Sequence, residues 1–242
     1  RRHVVVNLYD DDTRAASYAG VGFDGTYYLA CRDLPEIFGE HVQGTQALDL
    51  GCGAGRSTRL LKAMGFDCIG TDISAPMLSR ARLADPEGDY RLVPDGDLSS
   101  LGDRAFDLVM AMFPLDNVAQ TERKLAFLRA PARLLRPQGR LVCVVSSPEL
   151  YLHEWTSFST KDFPGNRSAG DGETIRIVML DGPDRRPIED TLCTDGTYRE
   201  LFARAGYALL RTYQPLGRPS DPYAWLTEER VAPWTIYILG LS

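Results

Sequence analysis

Three glycines at alternate positions, in the stretch Asp49-Leu50-Gly51-Cys52-Gly53-Ala54-Gly55, constrain this chain more than any other feature. Glycine loses more backbone entropy on folding than other residues, so this spacing indicates a sharp turn whose backbone a ligand approaches. The apolar run that ends in Asp49 predicts a short buried strand, and a helix is predicted from about Ser57. A helix that begins there directs its free N–H groups and its positive dipole end at the ligand. The stretch therefore predicts a nucleotide-binding strand–turn–helix unit.

Two kinds of nucleotide compete for such a turn, and the residue after the third glycine helps to separate them. The dinucleotide fingerprint is G-x-G-x-x-G, with the pyrophosphate on the helix N-terminus. This chain has Arg56 at the position of the last fingerprint glycine, which disfavours an NAD-dependent oxidoreductase. The order acid-x-G-x-G-x-G instead resembles motif I of the class I S-adenosylmethionine (SAM)-dependent methyltransferases.

The resemblance implies that the loop wraps the methionine part of SAM. On that basis Asp49, Gly51, Cys52 and Gly53 are predicted to bind the cofactor. Arg56 joins them because its side chain could meet the SAM carboxylate, although it could also only face solvent from the first helical turn.

A second acid stands near the end of the next apolar run, Asp67 to Ser74. Asp72 follows Asp49 by 23 residues, close to the spacing at which βαβ units place a ribose-binding carboxylate. A carboxylate accepts hydrogen bonds from both ribose hydroxyls at once. We therefore predict that Asp72 binds the ribose, that Ile73 beside it contacts the cofactor, and that Ser74 caps a helix.

The next short run, Tyr90–Val93, predicts a third strand and is followed by Asp95 and by Asp97-Leu98. In the family that the chain resembles, an acid and an apolar residue at this place contact the adenine. Asp97 and Leu98 match that place best, although the neighbouring Asp95 leaves the register open.

An apolar run with one acid, from Ala105 to Met112, predicts a buried parallel strand. Phe113, directly after it, is included among the predicted cofactor-binding residues. We further predict a helix from Thr121 to Leu135, a break at Pro137-Gln138-Gly139 and a fifth strand at Arg140–Val145. Strands that alternate with helices at this pace predict a doubly wound parallel sheet.

The predicted fold is α/β: a doubly wound, Rossmann-like seven-stranded sheet with a closing antiparallel hairpin and an inserted cap after the fifth strand. The hairpin is predicted from Tyr207–Tyr213 and Trp234–Leu239. One methyltransferase domain is expected over 1–242, made of an N-terminal lid (1–44), a SAM-binding core (45–147), the cap insertion (148–190) and the C-terminal part of the core sheet (191–242).

The segment before the glycine loop is rich in tyrosine and aspartate, with Tyr9, Tyr18, Tyr27 and Tyr28 among polar residues. The stretch Asp33–Phe38 predicts a helix start, with an N-cap acid and an early proline. This helix could be a lid that closes over a ligand, or it could pack against the sheet edge. In small-molecule methyltransferases this region commonly covers SAM and substrate, so the resemblance implies a lid.

Open α/β sheets bind ligands at the carboxyl ends of their strands. The acceptor pocket is therefore expected between the N-terminal segment, the loop Phe113–Asn117 and the cap. Aromatic side chains could line it, although aromatic residues are more often simply part of the core. The predicted substrate-binding residues are Tyr18, Tyr28, Tyr151 and Trp155, with Tyr223 and Trp225 as further candidates.

Two residues are candidates for a general base, which is needed only if the acceptor arrives protonated. His153 is the first, since a histidine changes its charge near neutral pH; a structural or surface histidine is the alternative. Asp116 is the second, with helix capping as its alternative.

The composition narrows the expected partners. A net charge of −6 argues against a surface that follows nucleic-acid phosphates. The chain also lacks the [DN]-P-P-aromatic motif of methyltransferases that act on the amino groups of nucleic-acid bases. The five cysteines are scattered without C-x-x-C spacing, so no metal site is predicted. No apolar run approaches the roughly 20 residues of a membrane span, and a cytoplasmic location is expected.

These observations predict a SAM-dependent methyltransferase that acts on N or O of a small organic molecule and releases S-adenosylhomocysteine. No nucleic-acid or membrane partner is expected, and the protein is expected to be a monomer or homodimer. The alternative is a SAM-binding enzyme of the same fold that catalyses a non-methylating reaction such as a cyclisation. A non-enzymatic SAM-binding protein is a third interpretation.

Overall fold

The computed structural model describes residues 11–242, and ten strands lie in this range. They are β1 (Gln46–Leu50), β2 (Asp67–Asp72), β3 (Asp89–Leu92), β4 (Phe106–Met112), β5 (Leu135–Ser146), β6 (Phe158–Ser159), β7 (Thr174–Met179), β8 (Ile188–Thr191), β9 (Tyr207–Tyr213) and β10 (Trp234–Leu241). Seven of them form one sheet in the order β3-β2-β1-β4-β5-β10-β9, and the other three form a smaller sheet. His3 and Tyr9 lie outside the described residues.

Seven α-helices accompany the strands over the same range, and they cover both faces of the larger sheet. They are α1 (Asp12–Ala19), α2 (Tyr28–Cys31), α3 (Leu34–His41), α4 (Arg56–Ala63), α5 (Ala75–Ala84), α6 (Thr121–Arg129) and α7 (Asp195–Arg204). Ile37 of α3 and Leu61 of α4 pack in one apolar cluster, whereas Leu125 of α6 and Leu201 of α7 pack in another. Within residues 11–242, no helix has the length and apolar character to cross a bilayer.

Strand pairing follows the doubly wound order. β1 pairs in parallel with both β2 and β4, so Leu48 lies beside Ile69 on one side and Val109 on the other. All seven residues of β4 are buried, because helices cover both faces of the sheet. β10 runs antiparallel to β5 and β9. The predicted fold, including its closing antiparallel hairpin, is confirmed.

The predicted helix from Thr121 to Leu135 is wrong in its second half. α6 ends at Arg129, and Leu135 already begins β5 opposite Phe106. The strand includes Pro137–Gly139, the stretch predicted to be a break before the strand. The β4–β5 pairing is irregular here, and such an irregularity accommodates a proline because one residue is left without a ladder bond.

The segment predicted as the cap insertion forms most of the antiparallel sheet β6-β7-β8. β7 alternates buried and more exposed residues, which is typical of a strand with one face on a core. Its buried residues Ile175, Ile177 and Met179 belong to the same apolar cluster as Trp155 and Trp234. The smaller sheet is therefore joined to the larger one by a continuous core.

Helix α3 packs against the larger sheet. Its residues Leu34, Ile37 and Phe38 are buried in the core cluster, so the structure supports the packing interpretation of this helix. Asp33 does not cap it as predicted; its carboxylate instead accepts a hydrogen bond from the Arg32 guanidinium (2.8 Å).

A buried carboxylate fastens the C-terminal loop to the N-terminal segment and to the cap. Glu228 is fully buried and accepts hydrogen bonds from Thr26 Oγ1 (2.7 Å) and from the backbone N–H of Thr156 (2.8 Å). The backbone N–H groups of Leu226 and Thr227 also donate to it, both at 3.0 Å. Three segments that are distant in the sequence thus meet at one buried side chain.

Replacement of Glu228 by alanine is expected to lower the free energy of unfolding by about 2–4 kcal/mol, because several buried donors lose their partner. Urea unfolding followed by circular dichroism measures this change. Glu229→Ala is the matched control: Glu229 is exposed, and its loss should change stability by less than about 0.5 kcal/mol. Equal effects of the two substitutions would contradict the fastening role of Glu228.

Candidate active site

The glycine loop between β1 and α4 adopts a conformation that favours glycine at all three positions. Gly51, Gly53 and Gly55 have φ values of 78°, 54° and 80°. A Cβ atom on Gly51 would lie 2.7 Å from Cβ of Pro114, and one on Gly55 would lie 2.7 Å from the Tyr90 hydroxyl. The loop therefore turns tightly between neighbouring elements and leaves its backbone as the surface that a ligand meets.

Asp49 ties the end of β1 to the first turn of α4. Its Oδ2 accepts hydrogen bonds from Ser57 Oγ (2.6 Å) and Thr58 Oγ1 (2.7 Å). Burial raises the pKa of this carboxyl to about 6. Its Oδ1 is also buried and has no hydrogen-bond partner among residues 11–242. An orphaned carboxylate oxygen beside the glycine loop fits a ligand that brings a donor, such as the ammonium group of a methionine moiety.

Asp72 stands at the end of β2 and is joined directly to the loop. Its carboxylate accepts hydrogen bonds from the backbone N–H of Gly53 (2.7 Å) and of Ser74 (2.8 Å). Ile73 beside it is 51% exposed, and Leu92 at the end of β3 is 44% exposed. The carboxylate and this exposed apolar surface together fit a ribose and an adenine ring.

The predicted adenine contacts lie on a turn after β3. Asp97 is exposed and accepts hydrogen bonds from Ser99 N (2.8 Å) and Ser99 Oγ (2.9 Å). The Leu98 side chain is buried in the core with Leu101, and its carbonyl oxygen accepts a hydrogen bond from the Arg133 guanidinium (2.9 Å). Asp95 has a left-handed φ of 53°. The adenine assignment of Asp97 and Leu98 stays a prediction.

Phe113 begins the loop after β4 with a left-handed φ of 73°. Its ring packs against the rings of Tyr27 (5.5 Å between centroids) and Trp234 (4.9 Å). The turn brings Pro114 against Gly51. The loop in which the acceptor pocket was expected thus adjoins the glycine loop.

Helix α1, which sequence reasoning did not single out, lies over the glycine loop. Its residues Tyr18 and Ala19 line a cavity of about 40 Å³ together with Gly53, Arg56 and Met112. Such a cavity holds only a few water molecules, whereas sites for nucleotide-sized ligands are about 300–1,000 Å³. The residues fit SAM, but the cavity is too small to hold the whole cofactor.

The predicted substrate-binding aromatics divide into two groups. Tyr18 lines the cavity, and Tyr28 is half-buried with its ring 5.2 Å from that of Tyr223. Trp155 is fully buried and its Nε1 donates to the carbonyl oxygen of Leu150 (2.7 Å). Tyr151 is buried as well. The structure thus places Tyr151 and Trp155 in the core, which was the alternative interpretation.

Asp116 belongs to a buried polar cluster between the loop after β4, the end of β5 and strand β8. Its carboxylate accepts hydrogen bonds from Ser146 Oγ (2.7 Å) and Ser146 N (3.2 Å). The Tyr151 hydroxyl donates to Asp190 (2.8 Å), and Lys124 donates to the carbonyl oxygen of the residue before Asp116. Burial raises the pKa of both Asp116 and Asp190 and lowers the pKa of Lys124. Asp116 does not cap a helix.

His153 lies at the surface. Its ring is hydrogen-bonded to Glu149 Oε2 (2.9 Å), and 38% of its side chain is exposed. Neither His153 nor Asp116 is among the residues that line the cavity at the glycine loop. The catalytic role of His153 stays a prediction.

Comparison with known protein sequences points to one family. The model of a family described as a methyltransferase domain matches residues 48–143. A demethylmenaquinone methyltransferase of Tropheryma whipplei is 38% identical over 127 residues, 51% of this chain and 49% of that protein. A ubiquinone biosynthesis O-methyltransferase of Rhizobium rhizogenes is 31% identical over 195 residues, 78% of this chain and 74% of that protein. The chain thus spans about half the length of the first relative and about three quarters of the second.

Solved structures share the fold. An S-adenosylmethionine-dependent methyltransferase from Clostridium acetobutylicum has a TM-score of 0.61 to this chain, over 97% of this chain and 96% of that one. Its sequence identity is 16%, so this likeness concerns the fold alone. Three observations indicate the same family: the fold, the glycine loop with its two strand-end acids, and the relative that is matched over most of its length. The chain belongs to the class I SAM-dependent methyltransferases.

Proposed function

We propose that this chain transfers a methyl group from SAM to an oxygen or nitrogen atom of a small organic molecule. The observation that carries the proposal is the contact between the glycine loop and Asp72: the Asp72 carboxylate accepts a hydrogen bond from the backbone N–H of Gly53 (2.7 Å). This contact lies at the carboxyl edge of the parallel strands, where open α/β sheets bind their ligands. The loop after β4 adjoins it through Pro114 and Gly51, so a cofactor and an acceptor can meet there.

The protein's contribution to such a reaction is mainly alignment and exclusion of water. Bound SAM would supply a methyl group on a positively charged sulfur atom. The acceptor atom would bond to the methyl carbon as the carbon–sulfur bond breaks on the opposite side, and S-adenosylhomocysteine would leave. Asp72 would hold the ribose, and the backbone of the glycine loop would hold the methionine part. The α1 helix would cover them, since Tyr18 and Ala19 already lie over Gly53.

A small organic acceptor is supported by two observations. The Rhizobium relative is named an O-methyltransferase of ubiquinone biosynthesis, which favours an oxygen atom of a small molecule. The net charge of −6 disfavours a nucleic-acid substrate.

Among the candidate bases, the surroundings of Asp116 support it better than those of His153. Asp116 stands on the loop directly after β4, beside the predicted acceptor pocket, and Ser146 fixes its carboxylate. We therefore propose that Asp116 receives the proton of an acceptor O–H or N–H group. An exposed histidine paired with Glu149 is less able to exclude water from that transfer.

A radiolabelled methyl-transfer screen tests the proposed function. The full chain is incubated with methyl-labelled SAM and small phenols, amines and carboxylates, and label is expected on one of these classes. Mixed RNA and protein substrates are run beside them, and label found only there would refute a small-molecule acceptor. SAM that binds tightly but is consumed without transfer of label would favour the non-methylating alternative.

A further inference from the structure

Three aromatic side chains lie together where the N-terminal segment meets the C-terminal loop. The centre of the Tyr223 ring lies 5.2 Å from that of Tyr28 and 5.1 Å from that of Trp225. The rings are tilted against one another by 56° and 42°, so they do not stack flat. All three residues are partly exposed. They are here called the aromatic surface.

Asp24 places a carboxylate beside the aromatic surface. It is exposed, and its Oδ1 accepts a hydrogen bond from the Tyr223 hydroxyl (3.0 Å). In the part of the chain that the structure describes, no basic side chain forms an ion pair with Asp24. No arginine or lysine of residues 11–242 lies over the three rings either. The carboxylate and the rings therefore have no cation of the described chain as a partner.

The arginines on the neighbouring turns are neutralised by other acids. Arg32 pairs with Asp33 (2.8 Å) and with Asp221 (2.9 Å). Arg218 lies 3.5 Å from Asp33. These two arginines and two aspartates carry no net charge together, so Asp24 gives this part of the surface a negative charge.

Two of the rings are held in place before a ligand arrives. The hydrogen bond to Asp24 fixes the Tyr223 ring. The Trp225 Nε1 donates to the carbonyl oxygen of Arg218 (3.3 Å), and a Cβ atom on Gly217 would lie 2.7 Å from Trp225 Cδ1. A site whose side chains are already ordered loses little conformational entropy on binding. The arrangement thus provides fixed aromatic faces and one anionic group.

We propose that the aromatic surface and Asp24 bind the positively charged nitrogen of a small organic ammonium compound. Aromatic faces attract a cation that lies within about 6 Å of the ring centre, and a carboxylate adds its negative charge. The inference rests on the proposed function where it goes one step further: the ammonium compound is the methyl acceptor. A protonated or quaternary nitrogen has no free electron pair, so the methyl group goes to another atom of the same molecule.

The position of the site fits an acceptor. Tyr27 stands between Asp24 and Tyr28 in the sequence, and its ring centre lies 4.4 Å from the guanidinium carbon of Arg56. Arg56 is the first residue of α4, directly after the glycine loop. The segment that carries Asp24 and Tyr28 therefore also reaches the cofactor loop.

Binding of choline to the full chain tests the site. Its neutral counterpart is the alcohol in which a carbon atom replaces the nitrogen of choline, and the ionic strength is kept constant with sodium chloride. Tryptophan fluorescence follows the titration, because Trp225 is partly exposed whereas Trp155 and Trp234 are buried. Choline is expected to bind about tenfold or more tightly than the neutral alcohol. Trp225→Phe should lose the fluorescence change.

Variants separate the charge from the ring. Asp24→Asn keeps an acceptor for the Tyr223 hydroxyl and removes the charge, and Tyr223→Leu removes the central ring. Each should weaken choline binding by about two- to fivefold. Tyr223→Phe restores the ring and should bind choline as the wild type does. Glu229→Gln is the matched control, because it removes one exposed negative charge elsewhere on the C-terminal loop. It should leave choline binding unchanged.

A matched pair of phenols in the methyl-transfer screen tests the acceptor. Tyramine carries an ammonium group, and para-propylphenol has a methyl group in its place. Acceptors with an ammonium group are expected to have a kcat/KM about tenfold or more above that of their neutral counterparts. Choline should compete with these acceptors and leave the KM for SAM unchanged.

The outcomes distinguish failure of the site from failure of the proposed function. Equal binding of choline and the neutral alcohol, or wild-type affinity in both Asp24→Asn and Tyr223→Leu, would refute the cation site and leave the methyltransferase function intact. Methyl transfer to neutral acceptors alone would refute the link between the site and the acceptor. Selective choline binding without methyl transfer to any small molecule would refute the proposed function, while the cation site would stand.

Discussion

Asp72→Ala is expected to weaken the binding of S-adenosylhomocysteine by about a hundredfold or more. The carboxylate is predicted to accept hydrogen bonds from both ribose hydroxyls. In the structure it also accepts hydrogen bonds from the backbone N–H groups of Gly53 and Ser74. Its loss therefore removes bonds to the ligand and loosens the glycine loop. Hydrogen bonds to a charged group contribute about 1.5–3 kcal/mol each, so two of them correspond to a factor of about 10²–10⁴ in Kd. Isothermal titration calorimetry measures this change.

Asp67→Ala provides the matched control for Asp72. Asp67 lies at the opposite end of β2, is exposed, and accepts one hydrogen bond from Gln46 Nε2 (3.1 Å). Its substitution should leave the affinity unchanged. Asp72→Asn keeps an acceptor but loses the charge, and an intermediate affinity is expected. If Asp72→Ala bound S-adenosylhomocysteine as tightly as the wild type, the assignment of Asp72 to the ribose would be refuted.

Local sequence patterns were sufficient to predict most of the fold. Alternating strands and helices determine a parallel sheet because each strand needs a crossover to reach its parallel neighbour. The run Ala105–Met112 is apolar except for Asp107 because helices cover both faces of the strand that it forms. The error at Thr121–Leu135 has a tertiary origin. Leu135 pairs with Phe106 in the sheet, and this pairing overrides the helical spacing of the leucines.

The cofactor side of the candidate site was also predictable, since its residues follow one another within two strand–turn–helix units. Asp49 and Asp72 stand at strand ends of the same sheet edge. The resemblance implied a lid over residues 1–44, but the contacts that hold α1 in place were not predictable. They come from arginines far along the chain, such as Arg80 and Arg186. Such contacts are set by the folded chain and leave no local signal.

The polar cluster at Asp116 could not be predicted from the sequence either. Asp116 and Asp190 are 74 positions apart, and each looks like an ordinary acid in its own segment. Only the packing of β8 against the loop after β4 brings Asp190 and Tyr151 near Asp116. Burial of two carboxylates in one cluster disfavours their ionised forms and raises the pKa of both. A pair of residues on opposite sides of most of the cap insertion carries no spacing rule from which this could be inferred.

Asp116→Asn is expected to lower the rate of methyl transfer by about 10²–10⁴-fold, the usual contribution of a general base. Asparagine keeps the size of the side chain and can still accept a hydrogen bond from Ser146 Oγ. A base acts in its ionised form, so the wild-type rate should fall as the pH decreases through the raised pKa of Asp116. Burial favours the protonated form of Asp116, whereas the hydrogen bond from Ser146 and the charge of Lys124 favour the ionised one. The asparagine variant should lose this acidic limb of the pH–rate profile, measured from about pH 5 to about pH 8 with saturating SAM.

His153→Ala is the matched comparison, because His153 is the other candidate base. It is expected to keep its rate within about threefold of the wild type, since its ring is exposed and paired with Glu149. If His153→Ala greatly lowered the rate of methyl transfer and Asp116→Asn kept the acidic limb of the pH–rate profile, His153 would be the general base. A full rate in both variants would mean that the acceptor loses its proton without a base from either residue, so that alignment and exclusion of water account for the catalysis.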